Sequence, residues 1–385
     1  MIYIHNANLY TPKGLLEHGA MIVSGETISA LGPEFDLPCP PKIPRFDANG
    51  QYLVPGFIDL QINGAFGMDF TFDPESIWQV GEQLIRFGVT SFLPTIISSP
   101  PKTILNAQAV VQKGPPASYH GARVIGLHLE GPYLNPEKHG AHNPDYLRLP
   151  EPEIYGHWSP ATFVRLVTLA PELPGAINAV QTLIKHGVVV SAGHSQASLS
   201  QSQAGFEAGI RYGTHLFNAM PAFDHRQPGL VGALLADQRL TSGMIVDGIH
   251  THPVTVNLTW RVLGAPRTSL VTDAMAALGM PPGEYQLGGR KVYVDGSSSA
   301  KLADGTLAGS LLSLDQALRN LIKFTGCRPE EALPAITQVP ARMLGLNSSL
   351  GNLVVGAKAD LVLLSSDLHV VAVWLNGHQI LPAAE

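Results

Sequence analysis

Only two cysteines, Cys39 and Cys327, occur in the 385 residues. A disulfide framework is therefore excluded as the basis of the fold, and a reducing compartment is expected. Charge is also sparse. Asp, Glu, Lys and Arg make up 14% of the chain, the net charge is −6, and no basic run occurs. That balance argues against nucleic acid as a partner. No segment carries enough consecutive apolar residues to span a bilayer. The opening "MIYIHNANLYTPKG" lacks the charged start and apolar run of a signal peptide. The expectation is a cytoplasmic protein with no membrane partner. No GxGxxG follows the first apolar strand, which weakens a dinucleotide-binding reading. What is plentiful is apolar residues (45%), glycine (39) and proline (31). These supply a sizeable core and many short connections.

The two ends of the chain read alike. "MIYIHNANLY", "GAMIVSGETISALG" and "RFDANGQYLVPG" alternate apolar and polar residues between glycine-bearing turns, as do "GNLVVGAKADLVLLSS" and "VVAVWLNGHQIL" near the other end. Asn376-Gly377 is a hairpin signal. Both ends are therefore expected to build one small β-sandwich domain, from residues 1–53 and 347–385.

The middle, 54–346, follows another pattern. Eight apolar strand-like runs recur: "LVPGFIDLQ", "TSFLPTII", "RVIGLHLEG", "FVRLVTLAPE", "GVVVSAGHS", "RYGTHLFNA", "TSGMIVDGIH" and "SLVTDAM". Helical stretches such as "PESIWQVGEQLIRFG" and "GAINAVQTLIKHG" separate most of them and often end in glycine. Near-continuous apolar strands alternating with helices predict a parallel sheet covered on both faces. Eight such units predict an α/β (β/α)8 TIM-type barrel; a doubly wound open sheet is the runner-up.

Chemistry in a barrel gathers where the strands end. The first strand ends in Asp59, Gln61 and Asn63, the third in Glu130, the fifth in His194 and the sixth in His215. The seventh leads to Asp247 and His250, and the eighth ends in Asp273. Burying the Glu130 carboxylate alone is costly. Together with His194 and His215 it makes a carboxylate–imidazole set of the kind that holds a divalent metal, most often Zn²⁺ in catalytic sites with an open position. Asp273 is the candidate general base beside that metal, although Asp is also a good helix N-cap. His142, on the loop after the third strand, would polarise a substrate carbonyl or be a plain loop histidine. Arg226, ahead of Pro228-Gly229 and a helix start, would hold an anion or lie in solvent. Where two-metal barrel hydrolases place His-x-His, this chain has Gln61-Ile62-Asn63, and the fourth strand offers no bridging lysine. Amides are weak ligands for transition metals, so one metal per chain is expected.

The segments "PGFIDLQINGAFG", "GLHLEGPYLN", "KHGAHNP", "VTLAPE", "SAGHS", "GTHLFNAMP", "QPGLVGALL", "DGIHTHP", "LVTDAMAA" and "GTLAGS" occur in this order. Together they resemble the N-acetylglucosamine-6-phosphate deacetylase family of the amidohydrolase superfamily. The resemblance implies a cytoplasmic hydrolase of amino-sugar catabolism that removes the N-acetyl group of N-acetylglucosamine 6-phosphate. It implies metal ligation by Glu130, His194 and His215, acid/base work by Asp273, and His142 near the acetyl carbonyl. It further implies substrate contacts from Ala141, Asn218, Ala219, Arg226, Asp247, His250, Leu307, Ala308 and Gly309, and a homodimer whose phosphate site draws on the neighbouring subunit. The Gln-x-Asn of the first strand matches the one-metal branch of the family. Two other readings stay open: an amidohydrolase acting on another N-acyl or cyclic amide, and a non-catalytic sugar-phosphate binder. Retention of Asp273 and of all three ligand candidates speaks against the binder.

Overall fold

The computed structural model describes residues 1–296 and 299–381. Strands from both ends share one eight-stranded mixed sheet, formed by Ile2–Thr11, Gly14–Ser24, Thr27–Pro33, Arg45–Asp47 and Tyr52–Pro55 with Leu361–Leu364, Val370–Leu375 and His378–Leu381. The two ends meet along an antiparallel seam in which Val362 lies opposite Val54. Alternating side chains on one face bury Ile4, Leu9, Met21, Leu53, Leu361 and Trp374 in a common core. Asn376 and Gly377 take φ of 49° and 77° between the last two strands, the left-handed pair that a tight hairpin requires.

Between these ends the chain forms a parallel barrel. Its strands are β1 (Phe57–Ile62), β2 (Val89–Ile97), β3 (Leu127–Glu130), β4 (Val164–Leu169), β5 (Val189–Ala192), β6 (Tyr212–Gly213), β7 (Thr241–Met244) and β8 (Thr268–Leu270). Each pairs in parallel with the next from β1 to β8. Strands enclosed on both faces need apolar residues throughout, and all nine residues of β2 are buried. Gly88, which enters β2 at φ 75°, has its Cα hydrogen where a Cβ would lie 2.7 Å from the Phe57 ring. Among the described residues, no helix is long and apolar enough to cross a membrane.

The barrel closes between β8 and β1 through backbone rather than a full ladder. Asp273 N–H donates to Gln61 O and Asn63 N–H to Ala274 O, both at 2.8 Å. Asp59 rivets this seam. Its carboxyl accepts from the Thr272 hydroxyl (2.6 Å), Gln61 N–H (3.2 Å) and Thr272 N–H (3.3 Å). Burial pushes that carboxyl up to about 7. Replacing Asp59 by alanine strips the Gln61 and Thr272 N–H groups of this acceptor, while the Thr272 hydroxyl keeps Gln61 O at 3.2 Å. At ~1 kcal/mol or more per orphaned donor, stability should fall by about 2 kcal/mol, read as a lower midpoint of chemical denaturation.

After β8 the chain adds an antiparallel hairpin, Gly283–Leu287 against Arg290–Val294, with Ala300–Lys301 alongside. The barrel-only expectation for this stretch did not include it. Leu287, Val292 and Val294 pack on Ile97, Ala141, Met275 and Ala308 at the strand ends, so the hairpin roofs one side of the barrel mouth.

Candidate active site

Four strand ends bring four candidate functional side chains together. β3 carries Glu130 as its last residue; the turns after β5, β6 and β8 carry His194, His215 and Asp273. These last three adopt φ of 49°, 28° and 48°. Left-handed backbone at non-glycine residues costs of order 1–3 kcal/mol each and persists where surrounding structure imposes it. Here it turns three chemically active side chains inward to one point.

His215 Nε2 lies 3.0 Å from Glu130 Oε1 and 3.0 Å from His194 Nε2, and His194 Nε2 lies 3.3 Å from the same carboxylate oxygen. Ligands bonded at about 2.0–2.1 Å in tetrahedral geometry stand roughly 3.3 Å apart. The three atoms thus occupy three corners around a space the size of a divalent ion, and all three residues are buried. The tautomer of His194 agrees. Lys138 O can only accept, so His194 Nδ1 donates to it at 2.8 Å and Nε2 is left with its lone pair inward. Burial pushes the Glu130 carboxyl up, but the surrounding imidazoles of His142, His194 and His215 outweigh it and hold the group well below the usual carboxylate range. The result is a permanent buried anion among imidazoles, a donor set suited to a cation.

Asp273 stands at the edge of this set. Asn63 Nδ2 donates to its Oδ1 at 2.7 Å, and Gln61 Nε2 donates both to that oxygen (3.1 Å) and to Glu130 Oε1 (2.9 Å). One amide therefore links two carboxylates that would otherwise repel, and among the described residues the donors to the Asp273 side chain all reach Oδ1 and leave Oδ2 free. Burial, reinforced by the charge on Glu130, pushes Asp273 up to about 6.

His142 faces them from the loop after β3. The Ser98 backbone N–H donates to its Nδ1 at 3.2 Å, and Ser98 Oγ lies 2.9 Å from the same atom. A backbone amide can only donate, so the proton of a neutral ring sits on Nε2, on the side of Glu130 Oε2 3.7 Å away. Burial, and next the neighbouring His194, pushes His142 down to about 4, so the ring is neutral near pH 7.

These groups line a cavity of about 240 Å³ together with Ala141, Asn218, Ala219, His250, Leu307 and Gly309. Asp247 stands behind, its Oδ2 accepting from His250 Nδ1 at 2.6 Å. Burial would raise the Asp247 carboxyl, but the His250 ring outweighs it and holds it below the ordinary value. Ala308 is buried in the apolar cluster beneath. Arg226 is exposed and outside the cavity lining. Sequence reasoning left Gln61 and Asn63 without a role and did not single out Ile97, Gly140, Ile245, Leu287 or Thr306, which complete the wall. A larger groove of about 950 Å³ lies where the terminal sheet meets the opposite end of the barrel, lined by Trp78, Tyr119, Arg123 and Phe163 among others. None of the converging ligands reaches it, so size alone is a poor guide to the chemistry here. The small cavity combines a cation site, a carboxylate with an elevated pKa and a neutral N–H donor opposite. That is equipment for adding water to a carbonyl.

The model of the amidohydrolase family matches residues 52–380. N-acetylglucosamine-6-phosphate deacetylase of Mus musculus is 42% identical over 354 residues, spanning 88% of this chain and 86% of its own. N-acetylgalactosamine-6-phosphate deacetylase of Escherichia coli O157:H7 is 38% identical over 377 residues, 96% of each chain. Among solved structures, an Asp-to-Ala variant of N-acetyl-D-glucosamine-6-phosphate deacetylase from Mycobacterium smegmatis, in complex with N-acetyl-D-glucosamine-6-phosphate, superposes with a TM-score of 0.90 at 34% identity, covering 99% of both chains.

Proposed function

The chain belongs to the amidohydrolase family, and from that premise we propose that it hydrolyses the N-acetyl amide of N-acetylglucosamine 6-phosphate to glucosamine 6-phosphate and acetate. One observation carries the reading: Asp273, with an oxygen free, stands beside the Glu130–His194–His215 set and across from the Nε2–H of a neutral His142.

The two-imidazole, one-carboxylate set favours Zn²⁺. When bound there, a divalent ion supplies Lewis acidity, acidifying water and polarising a carbonyl oxygen. The chain's own residues do the rest. Asp273 Oδ2 takes a proton from the attacking water while Gln61 and Asn63 hold Oδ1. His142 Nε2–H donates to the carbonyl oxygen as negative charge grows there, a term worth about 3–4 kcal/mol. Asp273 then returns its proton to the amide nitrogen, the C–N bond breaks, and acetate and the free amine depart. Asn218 and His250, on the far side of the cavity, hold the phosphosugar, with Asp247 fixing the His250 ring.

Arg226 fits this scheme as a residue lent to a second subunit. It is exposed, near the exposed Phe223. The helix Pro253–Arg267 presents Val254, Leu258 and Val262 to solvent at 61%, 59% and 53%, one residue per turn. An apolar stripe of that kind supports a homodimer. The substrate is a phosphorylated sugar, a dianion that does not cross membranes, which together with two free cysteines supports a cytoplasmic location.

Assays of N-acetylglucosamine with and without the 6-phosphate test the reading. Arg226→Ala should raise KM for the phosphorylated sugar by about tenfold or more, the share of one charge-assisted contact, and leave the unphosphorylated sugar unchanged. Equal effects on both would remove Arg226 from phosphate recognition. The galactosamine epimer is the second reading, favoured by the similarity to the Escherichia coli protein. The ratio of kcat/KM for the two epimers decides between them.

A further inference from the structure

The cavity is chemically divided. On the β2–β3 side its wall is Ile97, Ala141 and Leu287, which belong to one apolar cluster. Asn218 and His250 follow β6 and β7, and in a closed ring of eight strands these lie opposite β2 and β3. His142 belongs to the apolar side: Ala141 precedes it, and Ser98, which holds its Nδ1, follows Ile97. A carbonyl that accepts from His142 Nε2 therefore carries its acyl carbons against Ile97 and Leu287, while the sugar extends toward His250.

That wall is fixed. The hairpin turn is tied down by Gly288 N–H donating to Asp69 Oδ2 (2.9 Å) and by Arg290 Nη1 donating to Ala141 O and His142 O (3.2 Å each). A Cβ on Gly288 would lie 2.4 Å from Ile97 Cδ1, so the turn rests directly on that side chain. Leu287 is 4% exposed and Ile97 3%. A longer acyl chain meets apolar atoms that are packed from behind and cannot retreat.

Resting on the deacetylase reading above, we propose that Leu287, with Ile97 behind the hairpin turn, is the specificity-determining wall that limits the acyl group to acetyl. Arg290 is the positioning residue that clamps the wall to the His142 loop. The feature accounts for the inserted hairpin: it is the part of the mouth that measures the leaving acid.

The test compares kcat/KM on the N-acetyl, N-propionyl and N-butyryl derivatives of glucosamine 6-phosphate for the metal-loaded wild type, Leu287→Ala and Ile97→Val. The wild type should prefer acetyl over butyryl by about tenfold or more, the usual discrimination for an extra methylene in a shaped pocket. Leu287→Ala should reduce that preference by about tenfold, and Ile97→Val, which removes one methyl and leaves the hairpin packed, by severalfold. Ile97→Val keeps the question decidable should the larger truncation not fold. Arg290→Ala should lower kcat on the acetyl substrate and loosen the same preference, with partial recovery in Arg290→Lys and unchanged metal per chain. An acetyl-to-butyryl ratio that stays constant in Leu287→Ala and Ile97→Val, with acetyl turnover intact, overturns the proposal. A wild type inactive on every N-acyl amino-sugar 6-phosphate instead overturns the functional reading beneath it.

Discussion

Replacing Asp273 by asparagine is expected to reduce kcat by about 10³-fold, within the 10²–10⁴ range of a positioned acid/base group, while metal per chain stays at the wild-type level. The geometry explains why the two effects separate. The asparagine carbonyl oxygen can still accept from Asn63 and Gln61, so the side chain keeps its place. Its amide nitrogen then stands where the free oxygen was and cannot take a proton. Glu130, His194 and His215 are untouched, so the set that could hold the ion remains. Near-normal turnover in this variant would remove Asp273 from the mechanism. The pH profile gives the same answer by another route. The base works ionised, so kcat/KM rises with pH through its pKa. Burial and the Glu130 charge set that value at about 6, and a bound cation lowers it. The acid limb of the wild type should therefore lie below about pH 6 and disappear from the residual rate of the variant.

Glu130→Gln should have the other large effect, this time on the ion itself. Glu130 is the only ionised carboxylate among the three converging ligands. Removing its charge forfeits at least ~4 kcal/mol of attraction for a cation at an effective dielectric near 20, or about 10³-fold in affinity. Metal per chain should fall far below one after dialysis, and turnover with it, with recovery only in a large excess of metal. Full stoichiometric retention of metal in Glu130→Gln would show that the ion sits elsewhere.

Why these residues could be found from sequence, and others not, follows from how each is specified. The barrel was legible because strand–helix alternation is local and recurs eight times. Glu130, His194 and His215 were legible because ligand-forming side chains at the ends of apolar runs are chemically conspicuous. The roles of Gln61 and Asn63 were not, since their partners lie 69, 212 and 210 residues away, and an amide at a strand end has no signature of its own. The hairpin did leave a trace. Gly288-Gly289 followed by alternating Lys291, Val292, Tyr293 and Val294 is a turn and a half-buried strand. It sits inside a region dominated by another pattern, and its packing on Ile97 and Ala141 is long-range. Arg226 had a plausible signal ahead of Pro228-Gly229 and a helix start, yet the structure leaves it exposed and outside the cavity, since sequence places a loop residue near a helix end but not on one wall of a particular pocket.

The seam between the two chain ends has a consequence for biosynthesis. Tyr52–Pro55 hydrogen-bonds to Leu361–Leu364, a partner translated some 300 residues later. At about 5–20 residues per second, that edge waits roughly 15–60 s on the ribosome with unpaired amides and a row of apolar side chains. The nascent polypeptide is thus most vulnerable to misassociation before its last strands emerge. Chaperone demand and the penalty of premature termination should both concentrate there.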